Sequence, residues 1–328
     1  MATIKQVALE AGLSKSTVSR FIAQNGYVSD EARKKIEEAI KKLNFTPNLS
    51  AQSLKTKKNQ LVGLLLPDIS NPFFPMLAKG AEEFLKEKGY RVMLGNIGEN
   101  HQSEHDYLKV LLQSNAAGII STHDFKEEFP DLDIPSVIVD RVGHKSNYGV
   151  FSDNESGGCL AAKVIVEAGA KNVAVVSGPL NATNINNRFK ASIAYLKEKK
   201  VDFKAFYSQS YDFEEIQKEA RKVLANKENF DSIIAPSDIH AMAYIHEIHR
   251  LDKKIPEEIQ IIGYDDIQMS QFIYPALSTI HQSAYQMGLE AAQLIYKIAT
   301  DQPIEKSKIE LPVPVSYTHL TLPTNSRV

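Results

Sequence analysis

The sequence lacks the features that mark secreted, membrane-bound and disulfide-stabilised proteins. Its 328 residues include one cysteine, Cys159, which excludes a disulfide framework within the chain. It has no run of about 18 apolar residues, so no membrane-spanning helix is expected. The polar N-terminus lacks the apolar core of a signal peptide. Together these absences predict a soluble protein of the cytoplasm.

Motifs of the common enzyme classes are also missing. The sequence has no P-loop, no G-x-G-x-x-G after a predicted strand, no G-x-S-x-G and no H-E-x-x-H. Two groups of histidines do not make up a ligand set for a metal: His101, His105 and His123, and His240, His246 and His249. We interpret the second group as surface histidines of a helix and Cys159 as a core residue. We expect no enzyme activity, no metal and no cofactor.

The first twenty residues predict two short helices joined by a tight turn. Thr3 and Gln6 have the spacing of a capping box, which starts a helix. Gly12 permits the positive φ of a sharp exit, and Ser14 is placed to cap the second helix. Such a pair of helices typically places the second one in the DNA major groove.

Charge is divided unevenly along the chain. Residues 1–60 hold 11 Lys and Arg against 5 Asp and Glu, whereas the remaining residues hold 27 against 35. The net charge of −2 therefore combines a basic head with an acidic body. This division is typical of a polyanion-binding module joined to a part that does not bind DNA.

A third helix and a hinge complete the head. Ser29 can cap this helix, and its buried stripe has five apolar residues: Ala32, Ile36, Ala39, Ile40 and Leu43. Pro47 ends the unit, since the residue before a proline avoids the α region. Leu54 follows in a segment of small residues and lysines. Two interpretations of Leu54 stay open: a wedge that a DNA-induced helix inserts into the minor groove, or a contact of a simple tether with the body.

The body alternates apolar strands with amphipathic helices, which predicts two doubly wound α/β lobes. The predicted strands are Leu61–Pro67, Arg91–Asn96, Gly118–Ser121 and Ser136–Asp140, then Val173–Gly178, Ala205–Ser208, Ser232–Pro236 and Gln260–Tyr264. A crossover helix is predicted at Met76–Lys88. Ligands of such sheets bind beyond the carboxyl ends of the strands, so we expect a site in the cleft between the lobes.

Carboxylates, arginines and aromatic residues recur at these strand ends. Examples are Asp140 and Arg141 after the fourth strand and Asp238 after a later one. Carboxylates accept hydrogen bonds from vicinal hydroxyls, arginine donates to them, and aromatic faces stack on sugar C–H surfaces. The pattern therefore favours a polyhydroxylated ligand.

The sequence resembles the LacI/GalR family of bacterial repressors over about 95% of its length. The resemblance rests on the run Thr3–Arg20, on Gly-Tyr-Val-Ser at 26–29 and on Ala-Gln-Ser-Leu at 51–54. In the body it rests on Ile-Ser-Asn-Pro-Phe-Phe at 69–74 and Gly-Tyr-Asp-Asp at 263–266. Two departures lie near the expected site. Arg188 is followed by Ala191 and Ser192 where the family usually has Gly-Phe, and Pro-Ser-Asp at 236–238 stands where the family often has Ala-Asn-Asp.

The resemblance implies a set of site residues. Those implied to contact DNA are Thr3, Ser14, Lys15, Ser16, Thr17, Ser19, Arg20, Asn25, Asn48, Ala51, Leu54 and Lys55. Among them, Lys15 and Ser16 match positions that read base edges, and Leu54 matches a leucine that pries open the central base step. Those implied to bind the effector are Phe73, Phe74, Asp140, Arg141, Arg188, Phe213, Asp238 and Asp265.

The predicted organisation has four parts: a helix–turn–helix domain at 1–46, a hinge at 47–60, a two-lobed effector-binding and dimerisation domain at 61–314, and a tail at 315–328. The tail does not read as family sequence and resembles a translated sequencing adapter, so we interpret it as artefactual.

We expect a homodimeric repressor of a sugar-utilisation operon. It would bind a pseudo-palindromic operator in double-stranded DNA and be released by a small sugar, with ribose preferred. Two alternatives stay open: a global regulator that uses a phosphorylated carrier protein as corepressor, and a sugar-binding transport receptor.

Overall fold

The computed structural model describes residues 2–22, 26–45, 59–98, 103–125, 129, 134–143, 146–179, 185–225 and 229–316. The described chain divides into a small N-terminal helical unit and a larger α/β unit. No helix in these ranges is long and apolar enough to cross a bilayer.

The N-terminal unit has three helices: α1 Ile4–Glu10, α2 Lys15–Ile22 and α3 Asp30–Lys42. The predicted capping box at the start of α1 is confirmed, since the Thr3 hydroxyl accepts from the Gln6 backbone N–H at 3.3 Å and the Gln6 side chain accepts from the Thr3 N–H at 2.8 Å. Gly12 has a φ of 62°, as the turn requires. The Ser14 hydroxyl accepts from the Thr17 N–H at 3.1 Å and so caps α2.

The larger unit has two predominantly parallel sheets, and the strand order within each requires crossovers. The first lobe has strands β1 Asn59–Leu66, β2 Arg91–Asn96, β3 Ala116–Ser121, β4 Ser136–Val139, β5 Gly149–Ser152 and β11 Lys308–Leu311, in the order β11-β5-β4-β3-β1-β2. The second has β6 Asn172–Ser177, β7 Asp202–Tyr207, β8 Ser232–Ile234, β9 Gln260–Asp265, β10 Ser278–His281 and β12 Val315–Ser316, in the order β12-β10-β9-β8-β6-β7. The α/β fold with two doubly wound lobes is therefore confirmed.

Helices cover these sheets and carry most of the connections. They are α4 Phe73–Glu87, α5 Glu104–Gln113, α6 Asn154–Glu167, α7 Ile185–Lys199, α8 Phe213–Leu224, α9 Asp238–Arg250 and α10 Ala284–Ala299, with a short 3₁₀ helix at Gln268–Gln271. The helix predicted at Met76–Lys88 begins three residues earlier than expected, at Phe73. Phe73 and Phe74 are buried, which anchors this first turn in the core of the first lobe.

The chain passes between the lobes three times. It crosses after β5 into α6, after β10 into α10, and after β11 into β12. The sequence prediction lacked all four strands at these crossings, which have two to four residues each. Val315 and Ser316 pair antiparallel with β10, so the second sheet continues two residues past the boundary expected at 314. The rest of the predicted tail lies outside the described residues.

Candidate functional site

A cavity lies at the carboxyl ends of the strands in both lobes. Its lining comes from the loops after β1, β4, β7, β8 and β10, from the end of β9, and from α4 and α7. The lining residues are Asp68, Asn71, Phe73, Phe74, Asp140, Arg141, Arg188, Tyr211, Pro236, Ser237, Asp265 and Gln282. The structure thus brings together six of the eight residues that the sequence predicted for the effector, at the predicted place between the lobes.

Arg188 is a buried cation of this site with several partners. Its guanidinium donates to the Asn154 side-chain oxygen at 2.8 Å and to the Pro236 carbonyl at 3.0 Å. The same group lies 3.9 Å from an oxygen of Asp265 and 3.7 Å from the ring centroid of Tyr264. Only 6% of Arg188 is exposed. These partners hold the guanidinium in one orientation at the edge of the cavity.

Asp265 is the counterpart of Arg188, and its backbone is held in an unusual conformation. Its φ is 112°, and the next residue, Asp266, has a φ of 58°. The Gln282 amide donates to a carboxylate oxygen of Asp265 at 2.6 Å. Burial raises the pKa of Asp265 to about 7, although the positive charge of Arg188 and the Gln282 hydrogen bond both act to lower it. An acid group thus titrates near neutral pH inside the cavity.

Asp238, predicted as an effector contact, does not line the cavity. It is fully buried, and its carboxylate accepts from the Ile267 backbone N–H at 2.8 Å and from the Thr279 hydroxyl at 2.5 Å. These bonds tie α9 to β10 and to the turn that follows Asp265. Burial, followed by the nearby charge of Asp265, raises the pKa of Asp238 well above its ordinary value. Through these hydrogen bonds, Asp238 stabilises the turn that follows Asp265.

Phe213 is the other predicted contact that the structure leaves outside the lining. It begins α8 and is 49% exposed. Tyr211, two residues earlier, supplies the aromatic wall instead, and the guanidinium of Arg141 lies 5.4 Å from its ring centroid. Asp212, between them, caps α8 by accepting from the Glu214 and Glu215 N–H groups, so the chain turns into the helix before Phe213 reaches the cavity.

The prediction of surface histidines is wrong for His240 and agrees with the structure for His246 and His249. His240 is fully buried, whereas the other two are exposed. Most residues of α9 are buried, so the helical period of the sequence does not tell which of its histidines is exposed.

Cys159 is half-buried rather than in the core. No group of three metal-ligating side chains occurs within the described ranges.

The second helix of the N-terminal unit presents a polar surface. Val18 is buried in the three-helix core, while Lys15, Ser16 and Arg20 are exposed on the other side of α2. Ser14 joins this surface, with its hydroxyl 2.7 Å from that of Ser16. The remaining predicted contacts that the structure describes are exposed or half-buried: Thr3, Thr17 and Ser19. Five lie outside the described residues: Asn25, Asn48, Ala51, Leu54 and Lys55.

Comparison with known proteins matches both units. The pattern of bacterial regulatory proteins of the lacI family matches residues 3–48, and that of a periplasmic binding protein domain matches residues 62–303. The chain is 93% identical to a ribose operon repressor of Lactococcus lactis subsp. lactis, over 95% of this chain and 96% of that one. The chain belongs to the LacI family.

Solved LacI-family structures have the same fold. A Lac repressor dimer bound to operator and an anti-inducer covers 98% of this chain and 99% of its own, with a TM-score of 0.86 and 22% identity. A family regulator from Enterococcus faecalis with bound ribose covers 80% of this chain and 99% of its own, with a TM-score of 0.71 and 26% identity. The LacI-family architecture therefore extends over both units of this chain.

Several lining residues of this LacI-family chain were missed by the sequence prediction. Asn71 belongs to the motif at 69–74, and Asp68 directly precedes it. Ser237 belongs to the Pro-Ser-Asp segment at 236–238. The position of these residues could therefore have marked them as candidates for the site. Gln282 had no such signal, because it follows β10, which was not predicted. Its side-chain oxygen is buried and has no hydrogen-bond partner among the described residues. Gln282 therefore offers an unpaired acceptor in the lining of the cavity.

The raised pKa of Asp265 predicts how the stability of the ligand-free regulator depends on pH. Between its ordinary value of 3.8 and about 7, the folded protein holds a proton on Asp265 that the unfolded chain has lost. The free energy of unfolding should therefore fall as pH rises through this window, by about 1.4 kcal/mol for each unit between the two pKa values. Urea denaturation at about pH 5 and about pH 8 measures this fall.

The variant Asp265→Asn should show a smaller fall, since it lacks the Asp265 proton and keeps only the contribution of Asp238, whose pKa is also raised. Asp202→Asn is the matched control, because that carboxylate is exposed at the start of β7, and it should keep the wild-type slope. A slope that is the same in wild type and Asp265→Asn contradicts the prediction.

Proposed function

We propose that this LacI-family regulator is a homodimeric repressor of a ribose-utilisation operon, released from its operator when ribose binds in the cavity between the lobes. The observation that carries the proposal is the cavity lining, in which carboxylates, arginines and aromatic rings surround one space. The 93% identity to a ribose operon repressor supports ribose as the effector. The same identity favours this function over a global regulator that uses a phosphorylated corepressor.

The chemistry of the lining favours a neutral sugar. Asp68, Asp140 and Asp265 provide three carboxylates against the two guanidinium groups of Arg141 and Arg188. Carboxylate oxygens accept hydrogen bonds from vicinal hydroxyls, as does the unpaired side-chain oxygen of Gln282. Asp265 adds a negative charge only above its pKa of about 7, but the three carboxyl groups still offset the two guanidinium groups, so the lining offers no excess of positive charge to a phosphate. Ribose therefore suits the cavity better than a ribose phosphate.

Aromatic rings supply the apolar part of recognition. Phe73 and Phe74 meet edge to face with ring centroids 5.3 Å apart, and both line the cavity. Tyr211 lines it as well. Aromatic faces pack against the C–H surfaces of a sugar ring, while its hydroxyls point to the polar residues. A small ring with several hydroxyls uses both kinds of surface.

The N-terminal unit is suited to reading DNA. Lys15 and Ser16 stand exposed at the first turn of α2, the end of a recognition helix that contacts base edges. Arg20 is exposed farther along the same helix, where it can pair with phosphate. In a two-fold dimer, two such helices read two half-sites of a pseudo-palindrome.

The proposal is tested by titrating the full-length protein with D-ribose, ribose 5-phosphate and other pentoses in a calorimeter. The same sugars are then added to the protein bound to operator DNA. We expect D-ribose to bind and to weaken operator affinity by about 5- to 150-fold, which is the usual range of coupling between two sites. Ribose 5-phosphate should bind much more weakly. Tight binding of another pentose, with no response to D-ribose, would overturn ribose as the effector.

Leu54 lies outside the described residues, and its role as a minor-groove wedge stays a prediction. Leu54→Ala should weaken operator binding by about tenfold or more, because a wedge that opens a base step is needed only for the bent, specific complex. Affinity for D-ribose should not change. Leu9→Ala is the control, since Leu9 is 86% exposed and belongs to the head. Unchanged operator affinity in Leu54→Ala would exclude the wedge.

A further inference from the structure

A buried histidine connects the cavity lining to the interior of the second lobe. His240 is fully buried in the first turn of α9. Its Nδ1 lies 2.8 Å from the hydroxyl of Ser237, and its Nε2 lies 3.3 Å from the hydroxyl of Ser208. Ser237 lines the cavity, whereas Ser208 does not. The imidazole therefore joins a residue that can face a ligand to one that cannot.

The direction of these hydrogen bonds follows from counting protons. The Ser208 hydroxyl is 3.0 Å from the carbonyl oxygen of Ser210, which can only accept. Ser208 therefore donates its one proton there and accepts from His240. Burial lowers the pKa of His240 to about 3, although a hydrogen bond to the Ser210 backbone acts to raise it, so the ring is neutral and carries one N–H. That N–H is at Nε2, and Nδ1 accepts the proton of Ser237.

The opposite tautomer of His240 leaves one of these hydrogen bonds unsatisfied. With the proton on Nδ1, the ring nitrogen Nε2 would need the Ser208 proton, and the Ser210 carbonyl would face the Ser208 oxygen as acceptor against acceptor at 3.0 Å. A buried polar group without its partner costs more than a hydrogen bond normally contributes. The arrangement with the proton on Nε2 satisfies all three contacts.

We propose that the hydrogen-bonded series Ser208–His240–Ser237 occupies the only donor of the Ser237 hydroxyl, so that this hydroxyl can only accept a hydrogen bond from the effector. It therefore selects a sugar that has a hydroxyl donor opposite it. Ser237 also accepts from the backbone N–H of His240 at 3.3 Å. One lone pair of its oxygen is left for a ligand. The inference rests on the proposed function, since it assigns a specificity role within the same sugar site.

His240 is a positioning residue in this scheme, and it supports a second part of the lining. Its ring meets the ring of Tyr211 edge to face, with the centroids 5.7 Å apart and an interplanar angle of 88°. His240 thus orients Ser237 and Tyr211 without reaching the ligand itself. The sequence has Ser237 where the family often has an asparagine, whose side chain would offer both a donor and an acceptor.

The first test uses sugars altered at one hydroxyl at a time. The full-length protein is titrated by calorimetry with D-ribose and with its deoxy and deoxyfluoro analogues, because fluorine can accept weakly but cannot donate a hydrogen bond. At the hydroxyl that contacts Ser237, the deoxy and the deoxyfluoro analogue should both bind about 3- to 30-fold more weakly than D-ribose. Ser237→Ala should bind D-ribose more weakly than wild type by a similar factor. It should bind that pair of analogues with the same affinity as wild type does.

Replacing the histidine should restore the donor. In His240→Phe, the Ser237 hydroxyl is free to donate its proton to a ligand, so the fluoro analogue should bind better than the deoxy analogue. His246→Phe is the matched control on the exposed side of the same helix and should behave like wild type. A wild-type protein that prefers the fluoro analogue at the Ser237-dependent position, or a Ser237→Ala variant with full affinity for D-ribose, overturns the inference.

The second test does not depend on any sugar. Nitrogen NMR of ligand-free protein labelled in histidine reports which ring nitrogen of His240 carries the proton, with the signal assigned by its loss in His240→Phe. We expect a proton on Nε2 and none on Nδ1. A proton on Nδ1 overturns the inference even if D-ribose binds. Failure of wild type to bind D-ribose, with the proton on Nε2, overturns the proposed effector and leaves the proton arrangement standing.

Discussion

Replacing Arg188 with methionine is expected to lower the affinity for D-ribose by more than about 100-fold and the free energy of unfolding by about 3 to 5 kcal/mol. Methionine keeps much of the side-chain volume but removes every donor. The Asn154 oxygen and the Pro236 carbonyl then lose their partners, and Asp265 loses the positive charge that opposes its protonation. Breaking a buried pair is costly because the remaining charge stays buried without compensation.

Calorimetry with D-ribose and urea denaturation measure the two effects. Arg250→Met is the matched control, because Arg250 is also paired with a carboxylate, Glu247, at 2.9 Å but its side chain is 53% exposed. That variant should change the free energy of unfolding by no more than about 1 kcal/mol and leave ribose binding intact. If Arg188→Met binds D-ribose within about threefold of wild type, Arg188 has no part in recognition.

Replacing Gly288 with alanine is expected to lower the free energy of unfolding by about 2 to 3 kcal/mol. Helices α4 and α10 approach so closely here that a Cβ on Gly288 would overlap the carbonyl oxygen of Leu77. Gly80 meets the carbonyl of Tyr285 in the same way from the other helix. Backbone atoms cannot rotate aside as a side chain can, so the helices must separate and the packing around them loosens. The roughly 1 kcal/mol that alanine gains over glycine in a helix does not offset this cost.

Gly143→Ala provides the control for this substitution. A Cβ there would lie 3.7 Å from the nearest atom, the hydroxyl oxygen of Ser146, which is an ordinary contact. We expect a change of at most about 0.5 kcal/mol. Urea denaturation measures both changes. The free energies of unfolding can be compared if their slopes against urea concentration are equal in all variants. Equal stability of Gly288→Ala and wild type would mean that α4 and α10 are not packed as the structure shows.

Elements with a strong local pattern were predictable, and those defined by distant partners were not. The cap at Thr3, the turn at Gly12 and the buried face of α3 all depend on residues within one or two turns of helix. Strand β2 was predicted with the correct bounds, Arg91–Asn96. Strand β12 has only two residues, and its pairing partner, Ile280, lies 35 positions earlier in the chain. Nothing in its own composition indicates that pairing.

The candidate site shows the same division. Asp140, Arg188 and Asp265 could be assigned to one cavity, because parallel strands end at a common edge and each of these residues stands near such an end or matches a family position. The sequence could not tell that Tyr211 rather than Phe213 forms the wall, since both are aromatic and only the cap at Asp212 separates them.

By itself, the sequence determined a basic three-helix head, an acidic body of two α/β lobes, and the membership of both in the LacI family. Only the tertiary structure decided that Asp238 supports a turn, that His240 is buried behind Ser237, and that Gln282 reaches Asp265. The physical reason is the range of the interactions. Helix caps and hydrophobic periods act over a few residues, whereas the lining of the cavity is assembled by three passages of the chain between its lobes.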